Sequence, residues 1–279
     1  MGIRKKVAEM MASLFSFLFC LRRATFFSCS LNAKTEPLYA VNKIGKRLIF
    51  YCPNITTRWR AATVFTKEPE TIRWIDKMKH TDTLFDVGAN VGVYSIYAGV
   101  KGLRVFAFEP ESQNFSVLNR NIYVNSLHKN VRAFSIAVSD ADVFDRLNIG
   151  SFQTGGALNS FGNPIDYNHK EFRPDFEQGT ISFTIDSIVA NIGIVPTHLK
   201  VDVDGLESKI IRGAGKTLKD KRLKSVLVEI NESLASELNI VNVLAESGLK
   251  LAEKAHAESF ESSEFKRLYN YIFEREENA

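Results

Sequence analysis

Acidic and small polar residues follow the apolar, strand-like stretches of this sequence, at the points where each stretch ends. The residues at these ends are Asp86, Glu109, Ser139, Asp202, Asp204 and Glu229. Any one of these acids alone is explained by a helix N-cap or a solvated loop. Because parallel strands end on one edge of a sheet, we expect the group to lie close together there. Carboxylates in such a group can bind a cation or act as a general base.

The stretch TLFDVGANVGVYS at residues 83–95 joins an apolar run to a helix-compatible pattern through a glycine-bearing loop. A strand, a tight turn and a helix N-terminus present unpaired backbone N–H groups, which suit a polar or anionic ligand group. In the pattern Asp86-x-Gly88-x-Asn90-x-Gly92, asparagine stands where a dinucleotide-binding turn has its middle glycine. Asparagine is one of the few other residues that tolerate a positive φ.

The ligand class depends on two acids. Glu109 follows the loop after one helix and one strand, where an acid accepts hydrogen bonds from ribose hydroxyls in both dinucleotide and S-adenosylmethionine sites. Asp86 favours S-adenosylmethionine, because a carboxylate at the strand end repels a pyrophosphate and attracts an ammonium or sulfonium group. An NAD(P)-dependent oxidoreductase and a non-catalytic Rossmann-like binding protein remain as alternatives.

The order of elements predicts an α/β fold. From about residue 82 onward, short apolar runs alternate with helix-compatible stretches, which predicts a mostly parallel sheet with helices on both faces. Pro69 precedes a helical pattern that places Trp74 in the core. The β-like runs at residues 249–259 and 264–275 predict an antiparallel hairpin at the C-terminal edge.

The predicted organisation is an N-terminal extension over residues 1–60 and one domain over residues 61–279, which is long enough to bury a substantial core. Residues 140–180 interrupt the alternation with several glycines and aromatic residues, which predicts an irregular insertion that forms a lid or part of an acceptor pocket. Tyr167, His169 and Asp166 are its candidate hydrogen-bonding groups.

The extension contains an apolar stretch at residues 10–21 between two basic clusters. A membrane span needs about 20 residues, so this stretch is too short to cross a bilayer. Arg22 and Arg23 stand where a signal peptide would have its small-residue cleavage site. We therefore expect a cytoplasmic protein in which residues 3–27 form either an interfacial membrane helix or a helix that packs on protein.

Charge and cysteine spacing exclude several other classes of protein. The chain has 279 residues and a net charge of +4 from 36 basic and 32 acidic residues, an excess too small and too dispersed for a nucleic-acid-binding protein. Cys20, Cys29 and Cys52 show no CxxC or Cys/His spacing, so neither a zinc site nor a disulfide framework is expected.

Six motifs together resemble the FkbM-type methyltransferases. They are DVGANVGVYS, VFAFEP, AVSD, TIDSI, LKVDVDGLE with IIRGA after it, and VLVEIN, in this order over about residues 67–231. The resemblance implies a class I Rossmann-like methyltransferase fold and S-adenosylmethionine as the methyl donor. It also implies O-methylation of a hydroxyl on a small-molecule or glycan acceptor, such as a sugar or a secondary metabolite.

The resemblance also implies roles for individual residues. The implied cofactor-binding residues are Asp86, Gly88, Ala89, Asn90 and Gly92 at the methionine end, Glu109 and Pro110 at the ribose, and Ala137, Val138 and Ser139 at the adenine. Asp202 would face the methyl-transfer centre. Asp204 stands where the family often has glutamate, which leaves its role open.

A methyl acceptor hydroxyl must lose its proton, and a carboxylate at the sheet edge can accept it. Asp202, Asp204 and Glu207 are the first candidates for this base, followed by Glu229. No metal is predicted, although Asp202, Asp204 and Glu229 form an alternative divalent-cation site. Lys200 shares a strand face with Asp202, so a structural ion pair is the competing explanation. His198 is expected in a surface loop before the strand.

Overall fold

The computed structural model describes residues 36–43, 45–256, 260–261 and 263–276. The predicted helix at residues 3–27, with its membrane contact, and Cys20 and Cys29 lie outside these residues. Within the described part of the chain, no helix has the length and apolar character needed to cross a membrane.

The strands, in chain order, are β1 (Leu38–Lys43), β2 (Lys46–Tyr51), β3 (Thr83–Val87), β4 (Arg104–Phe108), β5 (Val131–Phe134), β6 (Ala137–Val138), β7 (Val143–Ile149), β8 (Ser160–Phe161), β9 (Phe176–Phe183), β10 (His198–Val201), β11 (Ser225–Asn231), β12 (Leu249–Ala255) and β13 (Leu268–Arg275). The described helices are α1 (Ile55–Ala62), α2 (Pro69–Lys77), α3 (Val93–Val100), α4 (Ser112–Val124), α5 (Ile185–Ile192), α6 (Glu207–Arg212), α7 (Gly215–Lys219) and α8 (Ala235–Glu246).

Seven strands form the central sheet in the order β12-β13-β11-β10-β3-β4-β5. The pairs among β11, β10, β3, β4 and β5 are parallel, and β13 is antiparallel to both β11 and β12. This confirms the class I Rossmann-like α/β prediction with its C-terminal antiparallel hairpin. From β3 the chain first adds strands on one side and later on the other, so the carboxyl end of β3 is a topological switch point where a ligand crevice forms.

The sheet has an apolar core on each face. Successive residues of β3 point to opposite faces, so Leu84 packs with Trp74 of α2 and Ile96 of α3, whereas Phe85 packs with Ile188 of α5. The helices α2, α3 and α4 contribute to the first core, and α5 to α8 contribute to the second. The predictions of helices on both faces and of a core Trp74 are therefore confirmed.

The segment at residues 140–180, expected to be irregular, contains most of a second sheet. Its order is β6-β9-β7-β8, with β7 antiparallel to β9 along its whole length. The pattern was missed because the first residues of β7 are exposed and β9 contains Gly179, so neither strand shows a clear apolar alternation. Gly150, Gly155 and Gly156 lie in the long β7–β8 connection, and Gly162 directly follows β8.

The apolar stretch that ends at Ser139 predicts that Ala137 and Val138 belong to a strand of the main sheet, and this placement is wrong. That strand, β5, ends at Phe134, and the chain then turns so that β6 pairs in parallel with Ser182 and Phe183 of β9. The stretch VRAFSIAV has no glycine or proline between the two strands, so the sequence does not show the change of partner.

Residues 46–60, assigned to the extension, form β2 and most of α1 and join the main body of the protein. The side-chain oxygens of Asn121 and Asn125 on α4 accept hydrogen bonds from the backbone of β2 at 2.7 and 2.9 Å. Leu48 and Phe50 are buried in the first core. Asn54 starts α1 with a capping box that includes Thr57.

Candidate functional site

The glycine loop after β3 has the backbone that its sequence predicts. Gly88, Asn90 and Gly92 have φ values of 80°, 52° and 83°. A Cβ atom on Gly88 would lie 1.8 Å from the carbonyl oxygen of Asp202, so no side chain fits there. Gly92 is the N-cap of α3 and lies against Leu118 beneath the loop, so it shapes the turn and stays outside the cleft lining. The positive φ predicted for Asn90 is confirmed.

Glu109 fastens the loop to the end of β4. It is buried, and its Oε2 accepts a hydrogen bond from the Asn90 backbone N–H at 2.7 Å, while Oε1 accepts one from Glu111 N–H at 2.9 Å. Burial raises the pKa of Glu109 to about 7, although both backbone donors lower it. Each carboxylate oxygen keeps a further lone pair, so the group can accept additional hydrogen bonds from a vicinal diol.

A cleft of about 70 Å³ opens beside this loop. Its lining comprises Val87, Gly88, Asn90, Phe108, Glu109, Pro110, Asn114, Ile136, Ala137, Val138, Leu147, Ala157, Asn159, Phe161, Asp202, Val203, Asp204 and Leu206. The wall beyond Glu109 is apolar and suits a flat ring. Ala137 and Val138 lie on that wall despite their different strand assignment. Ser139 is outside the lining, and its Oγ contacts Asp140.

A second, charged chamber lies on the other side of the same loop. It is lined by Arg60, Thr63, Val64, Lys67, Glu68, Asp86, Gly88, Ala89, Asn90, Val93, Tyr94, Lys200 and Asp202. Gly88, Asn90 and Asp202 line both spaces, so the loop and the end of β10 form their common boundary. One elongated ligand can therefore contact the apolar wall, Glu109 and the charged chamber together.

Asp86 has the environment expected of a group that meets a cation. Its Oδ2 accepts a hydrogen bond from Ser95 Oγ at 2.5 Å, whereas Oδ1 is buried and has no partner among the described residues. Burial raises the pKa of Asp86, and Lys200 partly offsets this effect. A buried oxygen without a partner is costly, so a cationic or hydrogen-donating ligand group would stabilise this side chain.

Lys200 and Asp202 form an ion pair beside Asp86. Lys200 Nζ is buried and lies 2.6 Å from Asp202 Oδ2. Burial by itself lowers the pKa of Lys200, but the carboxylates of Asp202, Asp86 and Glu68 outweigh burial and raise it. The structural ion pair that competed with the catalytic interpretation is thus present. Asp202 nevertheless keeps 23% of its side chain exposed and lines both spaces.

The other two candidate bases differ in position. Asp204, with a φ of 63°, lines the cleft and accepts a hydrogen bond from Leu158 N–H at 2.7 Å. Burial, followed by the charge of Asp202, raises the pKa of Asp204. Glu207 accepts hydrogen bonds from Val203 N–H and Gly205 N–H and lines neither space. It holds the loop after β10.

Glu68 and Lys67 are site residues that the sequence reasoning missed. Lys67 Nζ lies 2.6 Å from Glu68 Oε1, and both residues line the charged chamber. Burial raises the pKa of Glu68, but Lys67 and Lys200 outweigh it and lower the pKa to about 2. Their only sequence signature is a charged pair directly before the helix-starting Pro69.

A strap, defined as residues 153–158, is fastened next to the cleft. Asn114 Oδ1 accepts from Gly155 N–H at 2.7 Å, and Asn90 Nδ2 donates to the Gly156 carbonyl at 2.7 Å. Arg60 Nε donates to the Gly155 carbonyl, and Leu158 N–H donates to Asp204. The strap therefore connects α1, α4, the glycine loop and the loop after β10.

The three polar residues proposed for the acceptor pocket have local partners. Asp166 Oδ1 accepts from two backbone N–H groups of its own turn, and His169 Nε2 lies 3.0 Å from the Gly205 carbonyl. Tyr167 is buried, and its ring contacts Phe265 at a centroid distance of 5.1 Å. These contacts fix the turn against the loop after β10, which lines the cleft.

His198 is not a surface loop residue. It is the first residue of β10, and its ring contacts Ser225 Oγ at 2.7 Å and Asp82 Oδ2 at 3.1 Å. Burial lowers the pKa of His198, against the effect of Asp82. The prediction failed because Asp82, Ser225 and Trp74, which are far from His198 in the sequence, surround its ring in the fold. This network is at the amino end of the strands, away from the glycine loop.

Glu229 lies at the end of β11, and burial together with Asp202 and Glu207 raises its pKa well above the ordinary value. In the part of the chain that the structure describes, no three His, Cys, Asp or Glu side chains are arranged to hold a metal ion.

Residues 86–276 match the family described as the methyltransferase FkbM domain. No curated protein matches the sequence. Solved structures that match include precorrin-6y C5,15-methyltransferase from Geobacter metallireducens GS-15, with 14% identity, 78% of this chain and 93% of that chain covered, and a TM-score of 0.45. The ribosomal protein L11 methylase from Lactobacillus delbrueckii subsp. bulgaricus matches with 12% identity, coverage of 76% and 79%, and a TM-score of 0.45. TYW2 from M. jannaschii, in complex with AdoMet, matches with 14% identity, coverage of 87% and 88%, and a TM-score of 0.41.

Proposed function

The chain belongs to the FkbM methyltransferase family, and from this premise we propose that it methylates a hydroxyl group of a sugar, a glycan or a secondary metabolite. The family establishes methyl transfer with S-adenosylmethionine as cofactor. The oxygen acceptor is our proposal, and the observation that carries it is Asp202, a carboxylate at the boundary between the cleft and the charged chamber.

The residues of the site fit S-adenosylmethionine. Asp86, with its unpartnered buried oxygen, would contact the cationic end, and Glu109 would accept hydrogen bonds from the ribose hydroxyls. The apolar wall that includes Ala137 and Val138 would contact the adenine. When bound, this cofactor supplies an electrophilic methyl group on a sulfonium.

Asp202 is the side chain that we assign to the acceptor proton. A carboxylate oxygen of Asp202 would accept the O–H proton that the acceptor loses when it is methylated. Lys200 positions this carboxylate through the 2.6 Å ion pair. Asp204 lines the same cleft but accepts a hydrogen bond from the strap, and Glu207 serves the loop, so we rank both behind Asp202.

The test is to incubate the full chain with methyl-labelled S-adenosylmethionine and pools of glycans and small metabolites, and to locate the label by mass spectrometry. We expect one added methyl group on oxygen. The variant Asp202→Asn should lower kcat by about 10²- to 10⁴-fold while the affinity for S-adenosylhomocysteine stays within about threefold. Label found on nitrogen or carbon would overturn the oxygen acceptor, and unchanged kcat in Asp202→Asn would overturn the assigned base.

Two further predictions concern the surroundings of the enzyme. We propose a cytoplasmic location and a peripheral membrane contact through residues 3–27, which lie outside the described part of the chain. Fractionation of cells that express the full chain, with a salt wash of the membrane pellet, tests both. Recovery in a secreted fraction would contradict them.

A further inference from the structure

The helix α1 carries an unusual outward face. Ile55, Arg58, Trp59 and Ala62 are its exposed residues, at spacings of three, four and seven that form one stripe of a helix. Ile55 is 84% exposed and Trp59 is 49% exposed. The inward side, with Thr57 and Ala61, is buried against the protein. A surface helix normally places polar residues outward. The exposed isoleucine and tryptophan of this stripe are therefore unusual for a helix that contacts only water.

The stretch of sequence that contains α1 is also basic. Residues 37–67 contain no aspartate or glutamate. They contain the cations Lys43, Lys46, Arg47, Arg58, Arg60 and Lys67. Lys67 pairs with Glu68, but Arg47 and Arg58 are exposed. The Arg58 guanidinium lies 5.0 Å from the centroid of the Tyr39 ring. A surface that combines exposed apolar side chains with exposed cations is complementary to an anionic lipid surface, where the apolar groups enter the headgroup boundary and the cations meet phosphate or carboxylate groups.

We propose that the outward face of α1, defined as Ile55, Arg58, Trp59 and Ala62, binds the surface of an anionic membrane. Tryptophan is favoured at the membrane–water interface because its ring is apolar and its N–H is polar. Isoleucine at the preceding helical turn contributes buried apolar area, and Arg58 on the same stripe contributes attraction to anionic headgroups.

A second exposed aromatic pair shows why charge matters to this choice. Phe152 and Phe176 are exposed and contact each other at a centroid distance of 4.9 Å. Asp175 and Glu177 flank Phe176, and Asp175 Oδ2 accepts a hydrogen bond from Phe152 N–H. An anionic bilayer repels carboxylates, so this pair is a control with exposed aromatic side chains beside acidic residues, although Glu177 is paired with Arg146.

The proposed membrane face is connected to the site. Arg60 lies on the same helix, lines the charged chamber and donates a hydrogen bond to Gly155 of the strap. Asn54, which caps α1, donates to the carbonyl of Thr154. A membrane-bound α1 would therefore hold the strap and the charged chamber close to the headgroup region.

The experiment is co-sedimentation of the full chain with vesicles of phosphatidylcholine, with and without phosphatidylserine. The variants are Ile55→Ser with Trp59→Ser, Arg58→Gln, and the control Phe152→Ser with Phe176→Ser. We expect the wild type to prefer the phosphatidylserine vesicles and to lose binding as salt is added. The α1 double variant should bind these vesicles about tenfold more weakly, Arg58→Gln about threefold more weakly, and the control like the wild type.

Folding is checked in each variant by thermal unfolding and by S-adenosylhomocysteine affinity, since the substituted side chains are exposed. If the α1 double variant sediments with the vesicles as strongly as the wild type does, the proposal is overturned, and membrane binding is assigned to another segment, such as residues 3–27. No binding of the wild type to either vesicle would also overturn it, and so would an equal loss of binding in the Phe152 and Phe176 control.

Discussion

Lys200 Nζ lies 2.6 Å from Asp202 Oδ2, and the same buried ammonium group faces the carboxylates of Asp86 and Glu68. This one cation is attracted to three acids at the centre of the site, and Lys67 pairs in addition with Glu68. Removing Lys200 leaves the buried negative charge less compensated, which is more costly than removing an exposed ion pair. The pair therefore supports the structure of the site as well as the position of Asp202.

We predict that Lys200→Met lowers the free energy of unfolding by about 3–5 kcal/mol, measured by urea titration. The matched control is Lys250→Met, which breaks the exposed Lys250–Glu276 pair and should cost less than about 1 kcal/mol. Equal losses in the two variants would show that Lys200 does not neutralise buried charge.

Glu109 should make cofactor affinity depend on pH. Its pKa in the folded chain is about 7, above the ordinary 4.5, so the folded state holds a proton that the unfolded state releases. Its contribution to stability is therefore present below pH about 4.5 and is lost as pH rises through about 7. The ionised form of Glu109 is the better acceptor for ribose hydroxyls, so the affinity for the cofactor should rise as the pH rises.

We expect the affinity for S-adenosylhomocysteine, measured by calorimetry, to fall by up to about tenfold between pH about 8 and about 6. The variant Glu109→Gln should bind more weakly and show a flatter pH dependence, because the titrating group is absent. The same pH profile in both proteins would assign the titration to another residue.

Gly88→Ala should abolish cofactor binding. The added Cβ meets the Asp202 carbonyl oxygen at 1.8 Å in a backbone with a positive φ, so the loop or β10 must move. We expect destabilisation by about 2–4 kcal/mol, seen in thermal unfolding. Gly179→Ala, where nothing lies within 4 Å, is the control and should unfold like the wild type. Normal cofactor affinity in Gly88→Ala would refute this close approach.

Asn114 should hold the strap through its hydrogen bonds to Gly155 and Gly156. Asn114→Ala is expected to increase amide hydrogen exchange over residues 153–158 and to weaken S-adenosylhomocysteine binding by about tenfold. Asn119→Ala, on the same helix, removes only a bond to the Phe115 carbonyl of α4 and serves as the control. If exchange in the strap is the same in both variants, Asn114 does not hold it.

His198 should make stability depend on pH where the pH falls below about 6.5. Burial lowers its pKa, so the folded state keeps the ring neutral while the unfolded state binds a proton below about 6.5. Stability should therefore fall as the pH decreases through this range. His198→Gln should lower the free energy of unfolding by about 1–3 kcal/mol at neutral pH and reduce its pH dependence, as measured by urea titration. The control is His128→Gln at an exposed position, which should not lower the free energy of unfolding. An unchanged pH dependence in His198→Gln would contradict this assignment.

Local features were predictable because they are properties of a short stretch of chain. The alternation of strands and helices, the C-terminal hairpin and the positive φ of Asn90 follow from apolar periodicity and from the conformational tolerance of single residues. Glu109 was found at the end of the second parallel strand of the main sheet because parallel topology fixes which ends of the strands meet.

Contacts between distant positions were decided by the tertiary structure. Whether Glu207 faces a ligand or caps a loop depends on where the backbone of Val203 and Gly205 turns, and this is not encoded in periodicity. Glu68 became a site residue only because the fold brings it near Lys200, which is far away in the sequence.

The sequence by itself determined the class of fold and the family, since both rest on the order and type of residues along the chain. The tertiary structure decided which carboxylates are buried, paired or exposed, because burial and charge pairing depend on neighbours that are far apart in sequence. For the same reason, the outward face of α1 is visible only once the opposite face is seen to be buried.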